Sequence, residues 1–218
     1  MKLAQLNQID VELIDDVRRS FDRLPHTDHK DGKYRLRRYS VIELRTSFWN
    51  AKLEAEITRL PRREFSQSED VNKHQGGVSR SFEEIEDKVL QSELMKEICL
   101  TFKKSSDLLD GQEIEIHQMR VQPLRDTVLT PVSPEGVHQD GFDYIAVIGI
   151  DRMNIDGGAL MVYDEKDAKP FTVKELQDGE MIILNDKKLW HNAEPIKNIT
   201  AAEAHGDWFV LCAKNNYE

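Results

Sequence analysis

A chain of 218 residues, 39% hydrophobic and 32% charged, can bury roughly 70% of its unfolded surface and needs no covalent staples to fold as one domain. Thirty basic residues against 40 acidic ones leave a net charge of −10, which excludes general binding to DNA, RNA or an anionic membrane surface. Two cysteines without a CxxC exclude a disulfide framework, the longest apolar run (Tyr144–Ile150) is too short to span a bilayer, and Asp10 and Glu12 stand where a secretion leader would be apolar, so a cytoplasmic protein is expected.

In chain order, Ile9, Leu13, Val17, Phe21 and Leu24 recur at helical spacing, and Pro25 ends the pattern, so a helix is expected there. His26–Gly32 is a polar loop, expected to be solvated. Tyr34–Leu44 is rich in β-formers and predicts a strand, interrupted by Arg35, Arg37 and Arg38. Glu69–Ser79, with Gly76-Gly77, predicts a loop. Ser81 and Glu84 form a possible capping box opening a helical region to about Leu109, with Leu94, Met95, Ile98 and Phe102 as its apolar stripe. From Gln112 the period changes to two, Ile114 and Ile116 alternating with Glu113, Glu115 and His117. Short β-rich pieces follow at Tyr144–Ile150, Ala159–Tyr163, Met181–Leu184 and Trp208–Ala213, separated by Asp-Gly and Asn-Asp turns. The pattern predicts an α+β chain, residues 1–218 as one domain. Residues 1–110 supply helical support and outer strands, and 111–218 supply a jelly-roll core.

A strand that presents His and Asp at i and i+2 points both to one face, and a second His from a distant strand completes a facial triad of the non-haem iron type. The His-x-Asp spacing occurs four times, as His26/Asp28, His29/Asp31, His138/Asp140 and His205/Asp207, so spacing alone selects none of them. His138/Asp140 lies between Gly136 and Gly141, just before the most apolar strand, where a pocket is plausible; a surface Asx turn is the competing reading. His191, beside Trp190, is the natural third ligand, and a half-buried structural histidine is its alternative.

Resemblance decides between these readings. The segment from Pro134 to Tyr144 (PEGVHQDGFDY) is similar to the metal-binding segment of a bacterial-type 2-oxoglutarate/Fe(II) dioxygenase family that includes hydroxylases of free amino acids such as isoleucine. The similarity continues through Arg152-x-Asn154-Ile155-x-Gly157-Gly158, Asn185–His191 and Pro195-Ile196. Upstream it covers Arg35–Ser40, Arg80-x-Phe82 and His117-Gln118-x-Arg120, nearly the whole chain after the first predicted helix. The resemblance implies a double-stranded β-helix with His138, Asp140 and His191 as catalytic iron ligands, Fe(II) and 2-oxoglutarate as cofactor and co-substrate, and O2 and a small substrate as partners. The product implied is an oxidised aliphatic carbon, and the assembly expected is a monomer or homodimer.

One departure stands out. The resembling family places an arginine for the distal carboxylate of 2-oxoglutarate just before the aspartate that opens the last strand; here that aspartate is Asp207 and the preceding residue is Gly206. Arg120, Arg152, Lys187, Lys188 and a protonated His205 are the candidate substitutes, with Arg120 the leading one because it leaves an alternating strand. His117 and Arg120, three positions apart, face opposite sides of a regular strand, so one lines the pocket and the other packs beneath it. Arg37 and Arg80 are candidates for a substrate carboxylate, Asp143 for orienting a ligand or a substrate amine, and Arg152 for substrate binding as well. The missing arginine keeps two alternatives open: an iron oxygenase that does not use 2-oxoglutarate, and a non-catalytic metal- or ligand-binding relative.

Overall fold

The structure is a computed structural model, and it describes residues 4–49, 52–69, 72, 74–124 and 128–215. Among the described residues there are twelve strands: β1 (Ala4–Gln8), β2 (Arg35–Trp49), β3 (Lys52–Arg59), β4 (Gln112–Val121), β5 (Tyr144–Met153), β6 (Ile155–Gly157), β7 (Leu160–Tyr163), β8 (Thr172–Lys174), β9 (Glu180–Asn185), β10 (Trp190–Ala193), β11 (Ile196–Asn198) and β12 (His205–Ala213). The helices are two single turns, α1 (Asp15–Arg18) and α2 (Asp87–Leu90), and the longer α3 (Glu93–Ser106). A seven-stranded sheet runs β1-β9-β5-β12-β4-β2-β3, and all its pairings are antiparallel. A smaller sheet, β10-β7-β8, and the pair β11-β6 stand opposite it. This is the jelly roll expected from the period-two pattern. Among the described residues no helix is long and apolar enough to cross a membrane.

The two faces of the large sheet do different work. One face carries Ile42, Ile114, Ile116, Ile148, Met181 and Phe209 and packs on α3 and the N-terminal segment as one continuous core. The alternate residues, among them Met119, Val147, Val210 and Trp208, turn inward between the sheets. Burying both faces explains the apolar runs Tyr144–Ile150 of β5 and Trp208–Ala213 of β12, whereas β4 keeps polar and charged side chains on both faces.

The N-terminal part departs from expectation. The predicted 9–24 helix is instead a 3₁₀ turn at Val11–Leu13, α1, and a second 3₁₀ turn at Phe21–Arg23, with β1 before them. Ile9, Val17, Phe21 and Leu24 are nevertheless buried and Leu13 half-buried: short turns strung along a sheet hide the same one-in-four pattern as a helix. The 81–109 helix is also shorter than predicted. Residues 81–86 run extended beside β2, where Ser40 Oγ accepts the Ile85 amide, and the true N-cap is Ser92, whose hydroxyl accepts from Met95 N. β2 continues past Leu44 into a hairpin with β3, so the first half contributes strands more than helices. The His26–Gly32 loop is not simply solvated, since Asp31 is buried against Arg35, His74 and Gln75. In the 69–79 loop, residues 70, 71 and 73 lie outside the described residues.

Candidate functional site

His138 and His191 are held face to face by reciprocal backbone hydrogen bonds, each amide donating to the other's carbonyl at 2.9 Å. Their rings lie 4.3 Å apart. Asp140 closes the triangle: one carboxylate oxygen is 3.5 Å from His138 Nε2 and the other 3.5 Å from His191 Nε2. One donor atom from each of the three lies within 4.8 Å of the others. An ion bound on one face by cis donors at about 2.1 Å needs them roughly 3 Å apart, so the three sites fit a divalent ion after a small contraction.

Tautomer and charge favour the same reading. His138 Nδ1 lies 2.8 Å from the Gly136 carbonyl, to which it donates, leaving the Nε2 lone pair directed at the triad. Burial would lower the His138 pKa, but hydrogen bonding and charge from Asp140, then Glu135, raise it to about 9 in the metal-free protein. Burial works against the Asp140 carboxylate as well, and the two imidazoles overcome it, holding its pKa well below the ordinary value. A buried carboxylate between two imidazoles is a site in which a cation replaces protons.

Three residues outside the sequence candidates complete this environment. Asp186 accepts three successive backbone amides with one oxygen, from Asp140 and Gly141 at 2.9 Å and Phe142 at 3.1 Å, and so fixes the loop that carries Asp140. Its other oxygen lies 3.5 Å from His191 Nδ1. Gln67 donates to Asp140 at 3.1 Å and receives Arg80 Nη2 at 3.3 Å. Glu135 lies 3.6 Å from His138 and 3.7 Å from Arg35. Asp186 and Glu135 had a signal in the sequence, in the Asn185–His191 and Pro134–Tyr144 segments; Gln67 reaches the site from a loop with no periodic pattern.

The triad opens into a cavity between the sheets, lined by Arg37, Arg80 and His117 as well as by Phe65, Val210 and Trp208. Among the described residues no carboxylate is hydrogen-bonded or ion-paired to Arg37 or Arg80. Arg37 contacts the Met119 sulfur at 3.4 Å and lies over the Phe82 and Phe65 rings. Burial, then the charges of Arg35 and Arg80, push its pKa down to about 9. Arg80 lies 4.7 Å over Phe65. His117 lies tilted against Tyr39 and edge-on to Phe65, and burial, with Arg37 next, holds its pKa well below the ordinary value.

Other candidates are elsewhere. Arg120 does not line the cavity: it is on the opposite face of β4, where Nε and Nη2 each donate at 2.7 Å to Asp207 and Nη1 donates to Asp22 at 2.9 Å. Its even-numbered position shares the face of Gln118, which bonds Ser20 of the N-terminal segment. His205 belongs to the same cluster, 3.2 Å from Asp151 and 3.3 Å from Arg120. Lys187 and Lys188 are exposed. Asp143 is taken up by Lys187 and by the Asn215 amide, at the rim rather than in the cavity. Arg152 stands on β5 beside Gly158 and is not among the residues that line the cavity; its Nη2 donates to the Gly157 carbonyl at 2.7 Å and lies 3.6 Å from Glu175.

Comparison with solved structures finds the same fold. A bsmA homolog from Methylobium petroleophilum PM1 superposes with a TM-score of 0.75 at 24% identity, over 94% of this chain and 82% of that one. IDO from Bacillus thuringiensis gives 0.71 at 15% identity, over 94% and 83%. The Fe(II)/(alpha)ketoglutarate-dependent dioxygenase TqaL gives 0.66 at 16%, over 98% and 83%. Comparison with curated proteins gives no match. Residues 18–212 match the family described as 2OG-Fe dioxygenase, almost the whole chain, and the chain belongs to that family.

Proposed function

We propose that this protein is an Fe(II)- and 2-oxoglutarate-dependent oxygenase that oxidises an aliphatic C–H bond of a small carboxylate-bearing substrate, a free amino acid being the class the sequence resemblance implies. The observation that carries the proposal is the meeting, in one cavity, of the His138/Asp140/His191 face and two buried arginines that have no carboxylate partner among the described residues.

Iron(II) held by those three side chains would supply the oxidative chemistry, consuming O2 and 2-oxoglutarate and releasing succinate and CO2. The chain's own residues bind and orient. Gly136 and Asp186 fix the ligand directions, as outer-shell groups do at metal sites. Arg37 and Arg80 offer two guanidinium groups to a carboxylate that leaves water, the charge-assisted pairing that compensates both partners. Phe65, Val147, Leu160 and Val210 exclude water and leave an apolar wall for an aliphatic chain. Asp140 is linked through Gln67 to Arg80, so a substrate carboxylate at Arg80 is tied by hydrogen bonds to the metal face.

Anaerobic titration with Fe(II), with and without 2-oxoglutarate, tests the reading. A weak visible charge-transfer band on adding 2-oxoglutarate, followed under O2 by succinate formation stimulated by one member of an amino-acid panel, is the expected result. Iron binding with neither band nor succinate would place the chain among non-catalytic relatives. Turnover stimulated only by substrates lacking a carboxylate would remove Arg37 and Arg80 from the substrate site.

A further inference from the structure

Resting on the proposed function and its ligand set His138/Asp140/His191, we infer that Gln67 is a positioning residue of the metal face: its amide holds one oxygen of Asp140 and so sets the other toward the ion.

The two oxygens of Asp140 are not equivalent. Oδ1 lies 3.5 Å from His138 Nε2 and accepts the Gln67 amide N–H at 3.1 Å. Oδ2 lies 3.5 Å from His191 Nε2. Both imidazole nitrogens give up their protons when a metal binds, which leaves Gln67 as the donor on Oδ1 among the described residues. Asp186 cannot take this part. It accepts the backbone amides of Asp140, Gly141 and Phe142, which fixes where the loop runs but not how the carboxylate is turned. Glu135, the other acid beside His138, brings a second carboxylate and no donor.

A carboxylate with both oxygens free can grip a divalent ion with both. One oxygen engaged by an outer-shell N–H leaves the other as the ligand atom. Gln67 thus keeps Asp140 to a single donor, and a facial set of three donors leaves the remaining positions open.

The direction of the Gln67 amide is fixed from the backbone outward. Asn72, 4% exposed, accepts the His74 and Gln75 amides at 2.9 Å with its side-chain oxygen. Its NH2 end is thereby turned the other way and donates to Gln67 Oε1 at 2.8 Å. Arg80 Nη2 adds a second donor to that oxygen at 3.3 Å. With two donors on Oε1, only Nε2 can face Asp140; a flipped amide would set oxygen against carboxylate and NH2 against both donors. The anchor itself is rigid. The Asn72 amide donates to the Ser68 carbonyl at 2.9 Å, and the Asn72 carbonyl accepts the Gly76 amide at 2.7 Å. That turn is so tight that a Cβ on Gly76 would stand 2.2 Å from the Asn72 carbonyl oxygen.

The same arm carries a cavity arginine. Phe65 and Arg80 exchange backbone hydrogen bonds at 2.8 Å, and the Gly77 amide donates to the Gln67 carbonyl at 2.9 Å. Gln67 and Arg80 therefore stand on the two limbs of one closed loop, and Gln67 reaches the metal ligand from the wall that lines the cavity.

The test uses Co(II), whose visible d–d bands report the number and arrangement of its donor atoms, bound to the full chain without O2. Gln67→Leu should weaken Co(II) binding roughly 10- to 100-fold, the loss typical of an outer-shell partner, and should change the position and intensity of the bands. Gln67→Glu keeps the acceptor for Asn72 and Arg80 and removes the N–H directed at Asp140, so its bands should change while the arm stays closed. Bands identical to those of the unsubstituted protein in either variant overturn the inference, since an affinity loss without a band change would mean that Gln67 acts through the stability of the arm. If the unsubstituted protein binds no Co(II), or if His138→Ala binds it with unchanged affinity and bands, the ligand set itself falls, and the role of Gln67 with it.

Discussion

His138/Asp140 and His205/Asp207 share one spacing, and each has a third donor within reach, His191 for the first and Asp151 for the second. They have opposite fates because of their neighbours. Asp207 is fully buried and bound bidentately by Nε and Nη2 of Arg120, and Asp151 by Arg18 at 2.8 Å. Burial works against the Arg120 charge, and Asp207, then Asp22, more than offset it, raising the pKa of the arginine. That cluster already carries its cations. Around Asp140 the groups in contact are two imidazoles and Gln67, all of which can release or yield to a metal. A carboxylate–imidazole cluster becomes a candidate metal site when the protein withholds arginine from it.

The largest expected effect separates the two clusters directly. His138→Ala should weaken Fe(II) or Zn(II) binding by more than about 100-fold, beyond what loss of an outer-shell partner does. His205→Ala should leave metal affinity within a factor of two or so. Equilibrium dialysis of both variants measures it. Comparable loss in the two would break the comparison, because the arginine-bound cluster would then be holding the ion.

The next effect concerns the second cluster's stability. Arg120→Met strands the Asp207 carboxylate in the interior and should cost about 3–5 kcal/mol in urea unfolding. Arg120→Met with Asp207→Leu removes both charges and should recover most of that loss. A double variant as unstable as the single one would show that Arg120 stabilises the fold through Asp22 and packing, and not through the pair with Asp207.

The contrast between the clusters was hidden from the sequence for a physical reason. Alternation placed the strands well: Tyr144–Ile150 and Met181–Leu184 lie within β5 and β9, and Trp208–Ala213 within β12, because both sheet faces are buried and the apolar signal is strong. It also gave His117 and Arg120 opposite faces. It could not tell which face held the cavity, since β4 is buried on both sides, and so Arg120 stood as the leading substitute for the missing arginine. The face is decided by what packs on it, here the N-terminal turns carrying Ser20 and Asp22. Those turns were themselves misread as one helix, since an apolar residue every fourth position fits turns laid across a sheet equally well.

The smallest expected effect tests the other side of the comparison, the arginine that lacks an acid. Arg120 has found its carboxylates; Arg37, equally buried, has only aromatic faces and a methionine sulfur among the described residues. Its pKa, pushed down to about 9 by burial and by Arg35 and Arg80, still leaves it charged at neutral pH. The ligand-free protein therefore carries a desolvation cost that cation–π contacts offset only in part. Arg37→Met keeps the length and apolar volume of the side chain and removes the charge. In the metal-free protein it should raise stability by about 1–2 kcal/mol, while Arg120→Met lowers it. Urea unfolding of the two variants side by side gives the sign. If Arg37→Met also destabilises the free protein, Arg37 is a structural residue already satisfied by its rings. If it stabilises the protein and weakens substrate-dependent succinate formation, the unpaired charge is kept for the ligand it binds.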